Sequence, residues 1–201
     1  MTDFTRRRGI LQAMMSGAAL GALLDPATAL SAPVSPVTYH GGRISPAVPI
    51  PEIPVQLSDG RHTDLATLVR GRSTALHLMF SGCTTTCPIQ GHVFRQVQDL
   101  LHDASSRGIQ LISMSVNPLD DTPEAMRNWL ARFKAKPGWV VARPAPESLD
   151  TIWRLFGTSR GSTVLADHAT EVSIINARGN LIWRTYELPS PESLAEMLNQ
   201  A

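Results

Sequence analysis

From residue 55 onward, the apolar positions follow two alternating patterns. Two nearly continuous apolar runs, 74–80 (TALHLMF) and 109–118 (IQLISMSVNP), predict strands buried on both faces, as in a parallel sheet. Between them, apolar residues recur at helical spacing over 89–104, which predicts a helix that packs one face against a core. Pro88 suits the first helical position and Gly108 suits the stop. The segment therefore predicts a β–α–β unit.

The rest of the chain continues this alternation of strands and helices. Predicted elements lie at 122–136 (helix), 138–144 (strand), 146–157 (helix), 168–176 and 181–187 (two strands of a hairpin) and 190–200 (helix). The order from residue 74 is thus β–α–β–α–β–α–β–β–α, with parallel units first and an antiparallel hairpin last. The prediction is an α/β fold in which a central mixed β-sheet is flanked by helices on both faces.

Three segments differ in composition along the chain. Residues 1–32 carry the pattern of an export signal, and residues 33–54 are rich in Pro and Gly, which predicts an extended lead-in. Before the first apolar run, residues 55–73 predict a strand, a turn at 58–60 and a short helical or irregular piece. The predicted domain therefore covers residues 55–201.

The export prediction rests on the order of charged, apolar and small residues. Arg6, Arg7 and Arg8 precede the apolar run 10–24, and small-residue sites follow it, as in a signal peptide of the twin-arginine type. The run is shorter than the roughly 20 residues that cross a bilayer as a helix. An uncleaved amphipathic or membrane-anchoring N-terminus is the alternative. The predicted location is the bacterial periplasm.

The charge of the chain excludes one class of partner. The formal net charge is +1, and removal of residues 1–32 would take away three Arg and two Asp and leave 15 basic and 15 acidic residues. So small a net charge gives no strong field for nucleic acid. Both cysteines remain after cleavage, and in an oxidising compartment two thiols end as a disulfide unless a reductant or a metal holds them.

The two cysteines lie in SGCTTTCP (81–88), between the first buried strand and its helix. The carboxyl end of a strand is where open α/β sheets place their sites. With three intervening residues, a disulfide staple, a redox pair and the thiolate half of a metal site are all geometrically open. A staple over so short a loop would restrain little chain entropy. If Pro88 begins the helix, Cys87 lies at the cap, where the helix dipole favours a thiolate over a thiol.

A metal held by two thiolates needs a third ligand, and the chain has six histidines. His168 differs from the others, because it lies in a Gly/Ser/Thr loop with Asp167 beside it, and an adjacent carboxylate could orient the ring. His77, inside an apolar run, is expected to be a core or sheet-face histidine. The remaining ones are expected to be solvated or on a helix surface: His40, His62, His92 and His102. Since loop histidines are common, the residues alone leave His168 as one candidate.

Three stretches resemble the Sco/SenC family of copper chaperones: 76–88 (LHLMFSGCTTTCP), 111–133 (LISMSVNPLDDTPEAMRNWLARF) and 166–180 (ADHATEVSIINARGN). The resemblance runs from about residue 55 to the end. It implies a thioredoxin-like fold and a role in assembling the dinuclear copper site of cytochrome c oxidase. Carried over by position, Cys83 and Cys87 match the family's copper-binding cysteines, and His168 matches its copper-binding histidine. Thiolates suit Cu(I), and two thiolates with an imidazole suit copper as Cu(I) or Cu(II).

The chain departs from the family pattern at two places. Thr84, Thr85 and Thr86 stand where members commonly have Pro-Asp near the cysteines, and Asn117 stands where they often have Asp. The loss of two acidic residues predicts a less anionic pocket, with weaker copper binding or a different redox poise. The three ligands themselves remain.

Two functions therefore stay open. The first is a metallochaperone, not an enzyme in the strict sense, which passes copper from Cys83, Cys87 and His168 to a copper-site subunit of cytochrome c oxidase or another cuproprotein. Transfer by ligand exchange requires an exposed site, which a loop at the edge of the sheet would provide. The second is a thiol–disulfide oxidoreductase that keeps partner cysteines reduced through Cys83 and Cys87, with a thioredoxin-like reductant as a further partner. Contact with a membrane is expected only through the partner or an uncleaved N-terminus.

Overall fold

The computed structural model describes residues 41–105, 107–157 and 170–201. The predicted signal peptide at 1–32 lies outside the described residues, as do Asp167 and His168. Within the described part of the chain, no helix combines the length and the apolar character needed to cross a membrane.

The described residues form eight strands and five α-helices. In chain order they are β1 Gly41–Pro49, β2 Pro54–Leu57, β3 His62–Asp64, α1 Leu65–Val69, β4 Ser73–Met79, α2 Thr86–Leu100, β5 Ile109–Ser115, α3 Pro123–Arg132, β6 Trp139–Pro144, α4 Leu149–Phe156, β7 Val172–Ile175, β8 Asn180–Thr185 and α5 Pro191–Gln200. A single 3-10 turn, Pro146–Ser148, precedes α4.

All eight strands join one mixed sheet in the order β1-β8-β7-β4-β5-β6-β2-β3. The central strands β4, β5 and β6 are parallel. On either side the pairing becomes antiparallel: β7 pairs with β4 and β8 with β7 on one side, and β2 pairs with β6 on the other. This confirms the predicted parallel units and the terminal hairpin. Since β4 and β5 are parallel neighbours, their carboxyl ends, and the loops that follow them, lie at the same edge of the sheet.

The sheet extends further toward the N-terminus than residue 55, where the sequence places the domain boundary. Strand β1 lies inside the predicted lead-in and pairs with β8, with Gly41 opposite Thr185 and Pro49 opposite Asn180. Ile50 and Ile53 are buried in the core. The described part of the lead-in, from Gly41 onward, belongs to the fold. Most of β1 is exposed, so it lacks the apolar alternation that marks a strand in sequence.

Two apolar clusters cover the two faces of the sheet, as the α/β prediction requires. One face packs under α2, α3 and α5, and its core includes Met79, Phe94 and Trp129. The opposite face packs under α1 and α4, around Leu76 and Ile112. Because side chains alternate along a strand, β4 and β5 contribute to both clusters, which is why every residue of these two strands is buried.

The predicted helix starts are confirmed for α3 and α5. Thr122 accepts the N–H of Ala125 at 3.2 Å, and Ser190 accepts the N–H of Ser193 at 3.2 Å. Each side chain thereby satisfies one of the free amides of a first helical turn. The cap of α3 fixes the end of the β5–α3 loop, which borders the cysteine segment.

Candidate metal centre

The cysteine segment follows β4 directly and leads into α2. The N–H of Cys83 donates to the carbonyl of Phe80 at 3.1 Å, which closes a tight turn after the strand. Helix α2 begins at Thr86, so Cys87 is its second residue and Pro88 its third. The start is therefore earlier than the sequence predicts. A proline is tolerated there, because the first amides of a helix have no partner within the helix.

The sulfur of Cys83 takes the place of a helix cap. Thr85 is the N-cap residue, yet its side chain makes no capping hydrogen bond. Instead, the backbone N–H of Cys87 donates to Sγ of Cys83 at 3.4 Å. Oγ1 of Thr85 lies 3.8 Å from the same sulfur. One backbone donor at the start of α2 thus points at Cys83, and the partial positive charge of the helix end acts on that sulfur.

The two thiols consequently differ in acidity. Burial alone would raise the pKa of Cys83, but hydrogen bonds from the thiol and N–H of Cys87 and from Thr85 outweigh it and lower that pKa below its ordinary value of 9.0. Burial, together with its hydrogen bond to the Cys83 sulfur, raises the pKa of Cys87 to about 12. The expectation that the helix start favours a thiolate at Cys87 is therefore wrong. The Cys83 sulfur accepts the N–H of Cys87, whereas burial dominates at Cys87.

Both cysteines are free thiols and both are buried, with 3% of Cys83 and 1% of Cys87 accessible. The two cysteines of the expected site are thus not exposed, while its third residue, His168, lies outside the described residues. Thr84 and Thr85 are exposed and lie on the outside of the segment, while the sulfurs belong to the core cluster with Met79 and Phe94.

The described histidines lie where the sequence predicts. His77 is completely buried, and its Nε2 is 2.7 Å from Oγ of Ser113. Its ring packs edge-on against Phe94 with 4.4 Å between centroids. Burial lowers the pKa of His77 to about 4, against the opposing effect of a hydrogen bond with Gln90, so the ring is neutral. The others are exposed: His62, His92 and His102.

Within the described ranges, no group of three or more His, Cys, Asp and Glu residues is arranged to hold a metal ion. The two cysteines therefore form a two-donor site there. The third predicted ligand, His168, lies outside the described residues. In the described residues on either side of His168, α4 ends at Phe156 and β7 begins at Val172.

The sequence analysis missed Asp121, a buried carboxylate next to the cysteine segment. Its accessibility is 0%, although the preceding Asp120 is exposed. Oδ1 accepts the N–H of Ser81 at 2.9 Å, and Oδ2 accepts the hydroxyl of Ser115 at 2.5 Å. Nothing in the sequence distinguishes the two neighbouring aspartates, since both precede the same helix cap.

The chain is thus a thioredoxin-like α/β protein with two cysteines, separated by three residues, at a strand–helix junction. The family model described as SCO1/SenC matches residues 57–201. The chain belongs to the SCO1/SenC family. A comparison with curated protein sequences finds no match.

Solved structures share the fold at low sequence identity. ScoI of Bradyrhizobium japonicum with copper bound is 17% identical, with a TM-score of 0.62, over 77% of this chain and 99% of that chain. Yeast Sco1 with copper bound is 12% identical, with a TM-score of 0.62, over 77% and 88% of the two chains. BsSco, described with a disulfide switch and as a member of the Sco family of cytochrome c oxidase assembly proteins, is 16% identical, with a TM-score of 0.63, over 76% and 92%. These likenesses confirm the predicted thioredoxin-like fold.

Proposed function

We propose that the protein is a periplasmic metallochaperone that binds one copper ion through Cys83, Cys87 and His168 and passes it to a copper site of cytochrome c oxidase or of a similar cuproenzyme. The observation that carries the proposal is the paired thiols at the junction of β4 and α2, in a chain of the SCO1/SenC family. Thiolates are the ligands that Cu(I) prefers. The solved ScoI and Sco1 structures contain copper, and the assembly role is stated for the family of BsSco.

The sheet register supports His168 as the third ligand. Strand β7 runs antiparallel to β4, and its first residue, Val172, is opposite His77. The chain that leads into β7 therefore approaches from the carboxyl end of β4, the end that carries Cys83. His168 is four residues before Val172. This connectivity favours His168 over the exposed His92 and His102.

The copper ion is the cargo of this proposal, and the chain binds and releases it. Cys83, with its lowered pKa, is the first thiolate available to an incoming ion. Cys87 must lose its proton when copper binds, because only the thiolate is a ligand. Release requires a partner's ligands to replace these sulfurs in turn, and because both are buried, the exchange requires their exposure to the partner.

The test is copper retention by the reduced protein after desalting. Wild type is expected to retain one copper per chain. His168→Ala, Cys83→Ser and Cys87→Ser are each expected to weaken binding at least about tenfold, the loss of one ligand's contribution. His102→Ala is the matched control, since His102 is exposed and lies just after α2 ends, whereas the cysteines lie at the start of that helix. Retention by His168→Ala at the wild-type level would remove His168 from the ligand set, and no retention by wild type would remove the copper function.

One observation favours a second function, thiol–disulfide exchange. The acidity of the two thiols differs in the way that a nucleophile and a resolving thiol differ. In this reaction the Cys83 thiolate attacks a partner disulfide and releases one partner thiolate. Cys87, after losing its proton, then attacks the Cys83 sulfur, which releases the second partner thiolate and leaves a Cys83–Cys87 disulfide. A dithiol reductant of the thioredoxin kind must then restore the pair. Accumulation of a mixed disulfide in Cys87→Ser, and none in Cys83→Ser, is the expected sign of this activity.

A further inference from the structure

Asp121 is a buried acidic residue, and the ion pairs among the described residues involve other carboxylates. A carboxylate removed from water is costly unless hydrogen bonds satisfy it. Asp121 meets this requirement with two donors, the N–H of Ser81 at 2.9 Å and the hydroxyl of Ser115 at 2.5 Å. One donor lies in the turn after β4 and the other at the end of β5, so Asp121 connects these two segments.

The donors place Asp121 between two strand ends. Ser115 is the last residue of β5, and its Oγ also accepts the N–H of Asn117 at 3.1 Å. The N–H of Asp121 donates to the carbonyl of Asn117 at 3.0 Å, which fixes the turn that carries the carboxylate. Ser81 lies 40 residues earlier, in the turn after β4. Asp121 therefore links the β5–α3 loop to the start of the cysteine segment.

The link continues from Ser81 to the sulfur of Cys83. Ser81 lies inside the tight turn that the Cys83 N–H closes on Phe80. A fixed Ser81 amide restricts that turn, and the turn sets the position from which Sγ of Cys83 accepts the N–H of Cys87. Gly82 between them brings no side chain that could hold the turn in another way.

We infer that Asp121 is a positioning residue for Cys83, which holds the cysteine segment against the end of β5 so that the Cys83 sulfur meets the first amides of α2. The inference deepens the proposed copper site and rests on it for its functional meaning. The same positioning is expected in the metal-free protein, because the hydrogen bond from the Cys87 N–H to the Cys83 sulfur exists without copper.

The test is native-state hydrogen exchange at single amides in the full-length, reduced, metal-free protein. In Asp121→Ala, we expect the Ser81 and Cys87 amides to exchange at least about tenfold faster, as expected when one hydrogen bond is lost. The amide of Ile112, in the centre of the sheet, reports any global loss of stability, and the Cys87 change is measured relative to it. A Cys87 amide that changes only as much as that of Ile112 would overturn the inference.

Three further variants keep the test decisive if Asp121→Ala folds poorly. Asp121→Asn keeps an acceptor for Ser81 but not for the Ser115 hydroxyl, and it is expected to give an intermediate increase at Cys87. Ser115→Ala keeps the charge of Asp121 and removes one donor, and it is expected to accelerate Cys87 exchange as well. Asp120→Asn is the matched control, because Asp120 is exposed and its described side-chain hydrogen bond, from Nδ2 of Asn117 at 2.8 Å, does not involve the cysteine segment. An equal effect of Asp120→Asn and Asp121→Asn would also overturn the inference.

Copper affinity of the same variants separates this inference from the proposed function. We expect Cu(I) to bind about tenfold more weakly to Asp121→Asn than to wild type in competition with a chelator, with no change for Asp120→Asn. If wild type binds no copper while Cys87 exchange rises in Asp121→Ala, the copper function fails and the positioning role stands. If wild type binds copper and Cys87 exchange follows Ile112 in every variant, the positioning role fails and the copper function stands.

Discussion

The backbone N–H of Cys87 donates to the sulfur of Cys83 across 3.4 Å. Cys87 therefore supplies a hydrogen-bond donor from the start of α2, and the sulfur of Cys83 accepts this hydrogen bond. This contact helps to lower the pKa of Cys83, whereas burial and the hydrogen bond of its own thiol to the Cys83 sulfur raise the pKa of Cys87. The chemistry of the pair follows from this one direction of donation.

The first prediction concerns the reactivity of the two thiols. In the reduced, metal-free protein near pH 7.5, iodoacetamide is expected to modify Cys83 at least about tenfold faster than Cys87, since one pKa unit corresponds to a tenfold difference in thiolate fraction. Fragment mass spectrometry of the peptide that contains both cysteines measures the two rates. Faster modification of Cys87 would show that the helix start acts on the second cysteine after all.

A second prediction is that copper binding releases protons. Cys87, with a pKa of about 12, is protonated at neutral pH in the free protein. Since the bound form is a thiolate, affinity should rise with pH, by about tenfold per pH unit for each proton released. Chelator competition between about pH 6 and 8 measures the slope. In Cys87→Ser the slope should fall by the contribution of one proton, whereas an unchanged slope would show that Cys87 keeps its proton in the complex.

The buried His77 makes the fold sensitive to acid. Its pKa is lowered from 6.5 to about 4 in the folded state. Above pH 6.5 the ring is neutral in both the folded and the unfolded chain, and the fold keeps its full stability. As the pH falls from 6.5 toward 4, the unfolded chain binds a proton that the folded chain does not, so the fold loses stability. This change amounts to about 3 kcal/mol of unfolding free energy. Urea unfolding across this range should show a steep loss in wild type and a shallower one in His77→Gln. Equal slopes in the two proteins would mean that other groups cause the acid sensitivity.

A fourth prediction concerns the packing that holds α2 over the sheet. A Cβ added at Gly91 would overlap the ring of Phe133, which follows α3. Ala gains about 1 kcal/mol over Gly in helix propensity, but overpacking a core costs about 1–3 kcal/mol. Gly91→Ala is therefore expected to lower the melting temperature. Gln96→Ala, on the exposed side of the same helix, should leave it unchanged or raise it, and a rise for Gly91→Ala would show that Phe133 can move away.

Much of the fold could be predicted from local pattern. The runs at β4 and β5 are apolar throughout because both faces of these strands are covered, and the Thr122 and Ser190 caps are marked by the Pro-Glu pairs that follow them. Strand β1 has no such signal. It is an exposed edge strand that is defined by backbone pairing with β8. Because backbone groups are the same for nearly every residue type, such pairing leaves no pattern in the sequence.

The sequence by itself determined the α/β class, the order of elements from β4 to α5, the family, and the pair Cys83 and Cys87 as the candidate chemistry, because these depend on periodicity and on residue type. Only the tertiary structure decided which of the two thiols is the more acidic, that both are buried, and that Asp121 rather than Asp120 is the carboxylate that is buried and bonded to Ser81. These properties depend on which donor meets which acceptor across loops 40 residues apart. Such contacts exist only once parallel strands bring their carboxyl ends to one edge of the sheet.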